Sequence, residues 1–289
     1  MTQLCCMNNI ESTIDSTLHA PGRARRCLPL ALAAGLATLL AGTGALQAQR
    51  INAPRGPADR DHHGRTRTPH SQTINVPNGS FEWQSGVGYP FGVNIFIDSW
   101  QKAPKPAYFD YIEANYGFYW IQTAGAFVDT NPYGNHTGTQ VGYILPYPQV
   151  ALFQDYNTVD WDDAAPTHDF NARFNVGRSY KLTVGLFAKN MTEGSSLQLS
   201  LYYRDLLDNQ VTVASTIISY RAADFPAATP LNLIDYEVIV PTVSAHDDWA
   251  GQNIGIKLEA INGDGNGNWD FDNVRLISVP GRSFPACRP

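Results

Sequence analysis

From Thr73 onward the chain alternates with a period of two, in short runs cut by Gly, Pro, Asn and Asp. Leu182, Val184 and Leu186 alternate with Thr183, Gly185 and Phe187; Leu197, Leu199 and Leu201 alternate with Gln198, Ser200 and Tyr202. Successive side chains of a strand point to opposite faces, so this period fits strands and defeats a helix, whose apolar stripe recurs every three to four residues. Runs of this kind, rich in β-branched and aromatic residues, cover 140–145, 150–156, 180–188, 197–204, 211–220, 234–241, 253–260 and 269–279. No helical blocks alternate with them, which excludes a parallel α/β sheet. The expected fold is all-β, a two-sheet antiparallel β-sandwich of jelly-roll type with few helices.

The residues before Thr73 have a different texture. An apolar run from Cys27 to Ala48 follows Arg23, Arg25 and Arg26, the layout of a charged region before the hydrophobic segment of an export signal. The run is broken by Gly35, Gly42 and Gly44, so a cleaved signal peptide over 1–48 is expected in place of a membrane anchor, cut after Ala45 or Ala48. Residues 49–72 carry five Arg against two Asp and almost no large apolar side chains, and are expected to be a disordered linker. The sandwich is placed at 73–279 and a short tail at 280–289. This implies a secreted or periplasmic protein with no membrane span in the mature chain. Cys5, Cys6, Cys27 and Cys287 all fall outside 73–279, so no disulfide framework staples the domain.

Charge narrows the partners. Residues 73–279 hold ten Lys and Arg against twenty-two Asp and Glu, a net of 10 − 22 = −12. Such a domain repels nucleic acid and anionic membranes and suits cations or neutral ligands. The stretch 83–139 reads as long, irregular and dense in aromatic residues. Trp100, Tyr108, Tyr111, Tyr119 and Trp120 are the candidate ligand-binding residues there, because flat apolar rings stack on the C–H faces of sugars. The alternative for these rings is to cap the core. The run Asp160-Trp161-Asp162-Asp163, with His168 and Asp169, is read as an acidic solvated loop, and 262–270 as a Gly/Asn/Asp hairpin turn. Its likeness to an EF-hand loop fails at the twelfth position, where Asn273 stands for the required Glu. No Gly-x-Ser-x-Gly, His-Glu-x-x-His, P-loop or dinucleotide fingerprint occurs.

Two terminal motifs carry a resemblance. The opening Asn78-Gly79-Ser80-Phe81-Glu82 and the closing Trp269-Asp270-Phe271-Asp272-Asn273-Val274 resemble the ends of galactose-binding-like jelly rolls, carbohydrate-binding modules among them. The resemblance implies a structural calcium held by the side chains of Glu82 and Asp272 and by carbonyls of Asn78 or Ser80. Calcium takes six to eight hard oxygens and ties together strands whose carboxylates otherwise repel. Asp270 and Asp272, two apart in a strand, share one face. The closing motif is also similar to that of calcium-dependent indole-alkaloid cyclases, and that likeness implies Asp270 as an acid. The expectation taken forward is an exported, non-catalytic sandwich with structural calcium that binds carbohydrate or a cell-surface polymer through its aromatic loops. A cyclase-like enzyme using Asp270 and a purely structural surface protein are the alternatives.

Overall fold

Each of the eight expected runs holds a strand, and four further strands precede them. The computed structural model describes residues 70–83, 93–128, 133–159, 170–226 and 231–281. All belong to one unit, Asp59–Pro289; the other unit, Met1–Ala58, and with it the leader expected over 1–48, lies outside the described residues. So do most of the expected linker, the acidic run 160–163 with His168 and Asp169, and the tail from 282. Among the described residues no helix is long and apolar enough to cross a membrane.

The strands are β1 (Gln72–Ile74), β2 (Val93–Asn94), β3 (Gln101–Lys102), β4 (Ala124–Val128), β5 (Gln140–Ile144), β6 (Ala151–Gln154), β7 (Arg178–Lys189), β8 (Ser196–Arg204), β9 (Gln210–Ser219), β10 (Ile234–Val240), β11 (Gly255–Asn262) and β12 (Asn268–Pro280). They form two antiparallel sheets. The larger runs β10-β7-β12-β5-β4-β2, with β1 added to β12, and the smaller runs β3-β6-β11-β8-β9. The alternation sorts side chains as expected. Leu182, Val184, Leu186, Trp269 and Phe271 of the larger sheet and Leu197, Leu199, Leu201, Ile256 and Leu258 of the smaller join one buried cluster. The stretch read as irregular holds β2, β3, β4 and one helix, α1 (Phe109–Tyr116), followed by a 3-10 turn at Trp120–Thr123. β2 and β3 are two residues long, too short to show a period.

β12 organises the larger sheet. One of its edges pairs with β7 along most of its length, while the other is shared, β5 pairing at Trp269–Phe271 and β1 at Leu276–Ser278. Between these partners β12 carries a one-residue bulge, Asp272 facing Gly185 and Arg275 facing Thr183, with Asn273 at a φ of 57°. The turn at 76–81 fills the gap: the Val274 amide donates to the Gly79 carbonyl at 2.8 Å, and Phe81 packs edge-on against Phe271 with ring centroids 5.0 Å apart. A turn stands before β12, with Asp264 Oδ1 accepting from the Asn266 amide, but it is not the hairpin expected there: β11 belongs to the smaller sheet and β12 to the larger, so the turn carries the chain from one sheet to the other.

A methyl group at Gly79 would stand 2.6 Å from the Val274 carbonyl oxygen, a backbone atom with no room to retreat. Gly79→Ala is expected to destabilise the domain by about 2 kcal/mol, as overpacking of a rigid site does. A urea denaturation midpoint lowered at unchanged slope checks it.

Candidate functional site

The pleat of β12 sends Trp269 and Phe271 into the core and Asp270 and Asp272 to the opposite face, where their neighbours are Tyr143 and Phe187 beside Asp270 and Gly185 beside Asp272. Both carboxylates are nevertheless fully buried. The segment after residue 132 crosses this face and covers them. The Tyr133 hydroxyl donates to Asp270 Oδ2, and the Asn268 side-chain amide donates to Asp270 Oδ1. Four residues on, the Thr137 amide donates to Asp272 Oδ2 at 2.6 Å, and the Thr137 hydroxyl donates to Asn273 Oδ1. Asn135 fastens the cover from above, its side chain donating to the Leu233 carbonyl (2.9 Å) and accepting from the Leu233 amide (2.8 Å).

Glu82, at the other end of the fold, meets the same segment. Its Oε1 accepts from the amides of Thr139 (2.9 Å) and Gln140 (2.7 Å). Gly138 makes this approach possible: it sits at a φ of 76°, and a Cβ there would fall 2.2 to 2.6 Å from the Glu82 carboxyl atoms. Residues 82 and 270–272, from opposite ends of the domain, therefore bring three carboxyl groups to one segment, 133–140. Burial pushes the Asp272 carboxyl up to about 6; the Thr137 and Asn273 amides and His136 pull it down, and the like charge of Glu82 adds to the rise. Asp272 Oδ1 is buried with no hydrogen-bond partner, as is His136 Nε2.

The donor set here fits a hard cation. An unpartnered buried carboxylate oxygen, with a second carboxylate close enough to be felt, is the kind of ligand calcium takes, although among the described residues no group of three His, Cys, Asp or Glu is placed to hold a metal of any kind. The other two residues expected at the metal differ in their commitments. The Asn78 carbonyl already accepts from the Phe81 amide (3.1 Å) and the Trp100 indole N–H (3.0 Å), and its side chain is spent on Trp83 and Asp98. Ser80 lies half-buried in the same turn.

The five aromatic candidates divide. Trp100 and Trp120 are core residues, 5% and 8% exposed; Trp100 stacks on Phe81 at 5.2 Å, and the Trp120 indole N–H donates to the Ala103 carbonyl. Tyr108 is partly exposed, its hydroxyl donating to the Pro148 carbonyl at 2.5 Å. Tyr111 and Tyr119 are 65% and 57% exposed. Tyr116, which the sequence reading did not single out, is 72% exposed and stands edge-on to Tyr111 at 6.4 Å. The helix that presents these rings is anchored by buried Phe109 against Trp120, by a Lys105 bridge to Asp110 and Glu113, and by Glu113 Oε1 accepting from the Trp120 amide at 2.7 Å.

An all-β sandwich whose chain ends bring a pair of carboxylates under one loop is the class these observations define. The chain belongs to the HpiC1-like family (HpiC1 cyclase), whose profile matches residues 72–277. No curated protein matches. Similar solved structures include the Stig cyclase Fisc from Fischerella sp. TAU, 18% identical over 74% of this chain and 100% of that one, with a TM-score of 0.48. A carbohydrate-binding module of family CBM4 is 15% identical over 72% of this chain and 99% of that one, with a TM-score of 0.35. The CBM22-1 xylan-binding domain from Paenibacillus barcinonensis Xyn10C is 8% identical over 64% and 88%, with a TM-score of 0.35.

Tyr133→Phe removes a donor from a fully buried carboxylate while keeping the ring against Phe187. It is expected to cost about 2 kcal/mol, the worth of a hydrogen bond to a charged group. Chemical denaturation of the variant beside the parent measures it.

Proposed function

We propose that this chain is an exported, non-catalytic recognition module that binds a neutral carbohydrate polymer through exposed tyrosines, with its chain ends braced by calcium. The observation that carries the reading is the presentation of Tyr111, Tyr116 and Tyr119, each more than half exposed, on a helix and turn fixed to the core by Phe109 and Trp120. Rings held in place lose little entropy when they stack on a sugar, and tyrosine adds a hydroxyl for polar contact. The domain's acidity favours neutral polymers over anionic ones. Glu82 and Asp272 would hold the calcium, and the ion would supply charge neutralisation between the first and last segments of the sandwich, not chemistry on a ligand.

The double variant Tyr111→Ala/Tyr119→Ala is expected to weaken retention on insoluble neutral polysaccharide at least about 10-fold at unchanged melting temperature, since ring stacking contributes on the order of 1 kcal/mol per contact. Affinity electrophoresis through gels containing xylan, β-glucan or mannan reads this directly. Retention equal to the parent's would sink the proposal. Calcium is expected to raise the melting temperature and a chelator to lower it, with a larger shift at pH 7 than at pH 5, because protons compete for the Asp272 carboxylate. Asp272→Asn should abolish most of that shift.

A second reading rests on Asp270 and on membership of a family named for a cyclase. Asp270 is the carboxyl such an enzyme would use as acid, oriented on an aromatic-lined face by the Tyr133 hydroxyl and the Asn268 amide. The two readings separate cleanly. Turnover of an indole-bearing substrate that Asp270→Asn abolishes supports the enzyme, whereas intact glycan retention in the same variant supports the recognition module.

A further inference from the structure

Three asparagines in the chain are followed by glycine: Asn78, Asn262 and Asn266. Glycine has no Cβ to crowd its own amide, so its nitrogen can approach the preceding Asn side-chain carbonyl closely. The fold treats the three pairs differently. Asn78 is 4% exposed and locked in place. Its Oδ1 accepts from the Trp83 amide at 2.9 Å, its Nδ2 donates to the Trp83 and Asp98 carbonyls, and the Gly79 amide is spent on the Val76 carbonyl at 3.1 Å. Asn262 is exposed, but it is the last residue of β11, paired with Ser196, and its Nδ2 donates to the Gly194 carbonyl at 3.0 Å.

Asn266 is exposed and lies in the turn between the sheets, in neither β11 nor β12. One hydrogen bond holds its side chain, Nδ2 donating to Asp264 Oδ2 at 2.8 Å. Among the described residues no acceptor takes the Gly267 amide. Nor can the turn dispense with that glycine. Gly267 sits at a φ of 74°, and a Cβ there would stand 2.2 Å from the Lys189 carbonyl oxygen. The crossing from one sheet to the other therefore requires the residue that leaves Asn266 open to attack.

We propose that Asn266 is a site of self-modification, where the chain converts to aspartate and isoaspartate through a succinimide. The Gly267 nitrogen gives its proton to water and bonds to Asn266 Cγ, and the side-chain nitrogen leaves as ammonia; both reacting groups belong to one turn, so no encounter step is needed. Water then opens the ring at either carbonyl. Opening at the former side-chain carbonyl restores the main chain with an aspartate at 266. Opening at the other leaves the main chain running through the side chain, one methylene longer. The sum consumes one water and releases one ammonia, with no change of oxidation state. Either product adds a negative charge beside Asp264, and the longer one alters the backbone two residues before Asn268, whose side chain holds Asp270. The modification needs neither the tyrosine face nor the calcium pair, so it stands or falls separately from the recognition reading.

The test holds the full chain at 37 °C and pH 8 in oxygen-18 water and follows each Asn-Gly pair by peptide mass spectrometry, with fragmentation that separates aspartate from isoaspartate. Asn266 is expected to react about 100-fold faster than Asn78, which must first release three side-chain hydrogen bonds and the Gly79 amide where Asn266 releases one bond. It is also expected to outpace Asn262, to take up one solvent oxygen per event and to yield both products. In urea, where those bonds are gone, the three rates should converge. Asn266→Gln, whose ring would need a sixth member, should lose the product at 266. Equal rates at Asn78 and Asn266 in the folded chain, Asn262 reacting first, a gap that persists in urea, or aspartate at 266 without isoaspartate overturns the proposal.

Discussion

The domain depends on how its last strand is held at the bulge. β12 has a full partner on one edge only, and on the other it must be shared between β5 and β1. The bulge at Asp272–Arg275 falls where neither reaches, and an unpaired buried amide there would cost free energy comparable to a lost hydrogen bond. The turn at Gly79 removes that cost by accepting from Val274, and Phe81 then brings its ring onto Phe271 and Trp100. Burying a phenylalanine is worth about 2 kcal/mol, so the contact is a substantial fraction of what keeps a domain folded. The same bulge turns β12 so that Asp272 meets the cover segment, which links fold and site at one point.

The carboxylates explain why the cover exists. Two buried carboxyl groups two residues apart on one face need hydrogen-bond partners in a medium of low polarity. Asp270 is compensated by hydrogen bonds from Tyr133 and Asn268, one to each oxygen. Asp272 has the Thr137 amide on one oxygen and no partner on the other. That asymmetry is what singles out Asp272, and not Asp270, as the position where a cation would improve the energetics.

Much of this was legible in the sequence because period two survives burial. All eight long strands lie where alternation places them, and the shared face of Asp270 and Asp272 follows from their spacing alone. The partners of those residues were not legible. Tyr133 and Thr137 stand more than 130 residues before Asp270 and Asp272 in the chain, in a segment without periodicity, and no local pattern announces which loop covers a sheet. The short strands and α1 were hidden for a related reason: Phe109, Trp120 and Trp100 are placed by tertiary packing, and propensity is a weak guide to elements that short.

The aromatic residues show the same division between chemistry and context. Composition alone gives tryptophan and tyrosine equal standing as sugar platforms, and fold decides between them. The two candidate tryptophans bury their rings and satisfy their N–H groups on carbonyls, Asn78 for Trp100 and Ala103 for Trp120, so both are used up in joining loops to the core. That leaves α1 free to turn tyrosines outward without loosening, since its hold on the domain does not pass through them. Lys102 supports the arrangement from beneath, donating to the Trp120 and Ile121 carbonyls of the 3-10 segment, the first of which also accepts from the Thr123 hydroxyl. Rigid base and exposed rim are thus built from one short stretch of sequence, and the rim can vary in its ligand while the base keeps the fold.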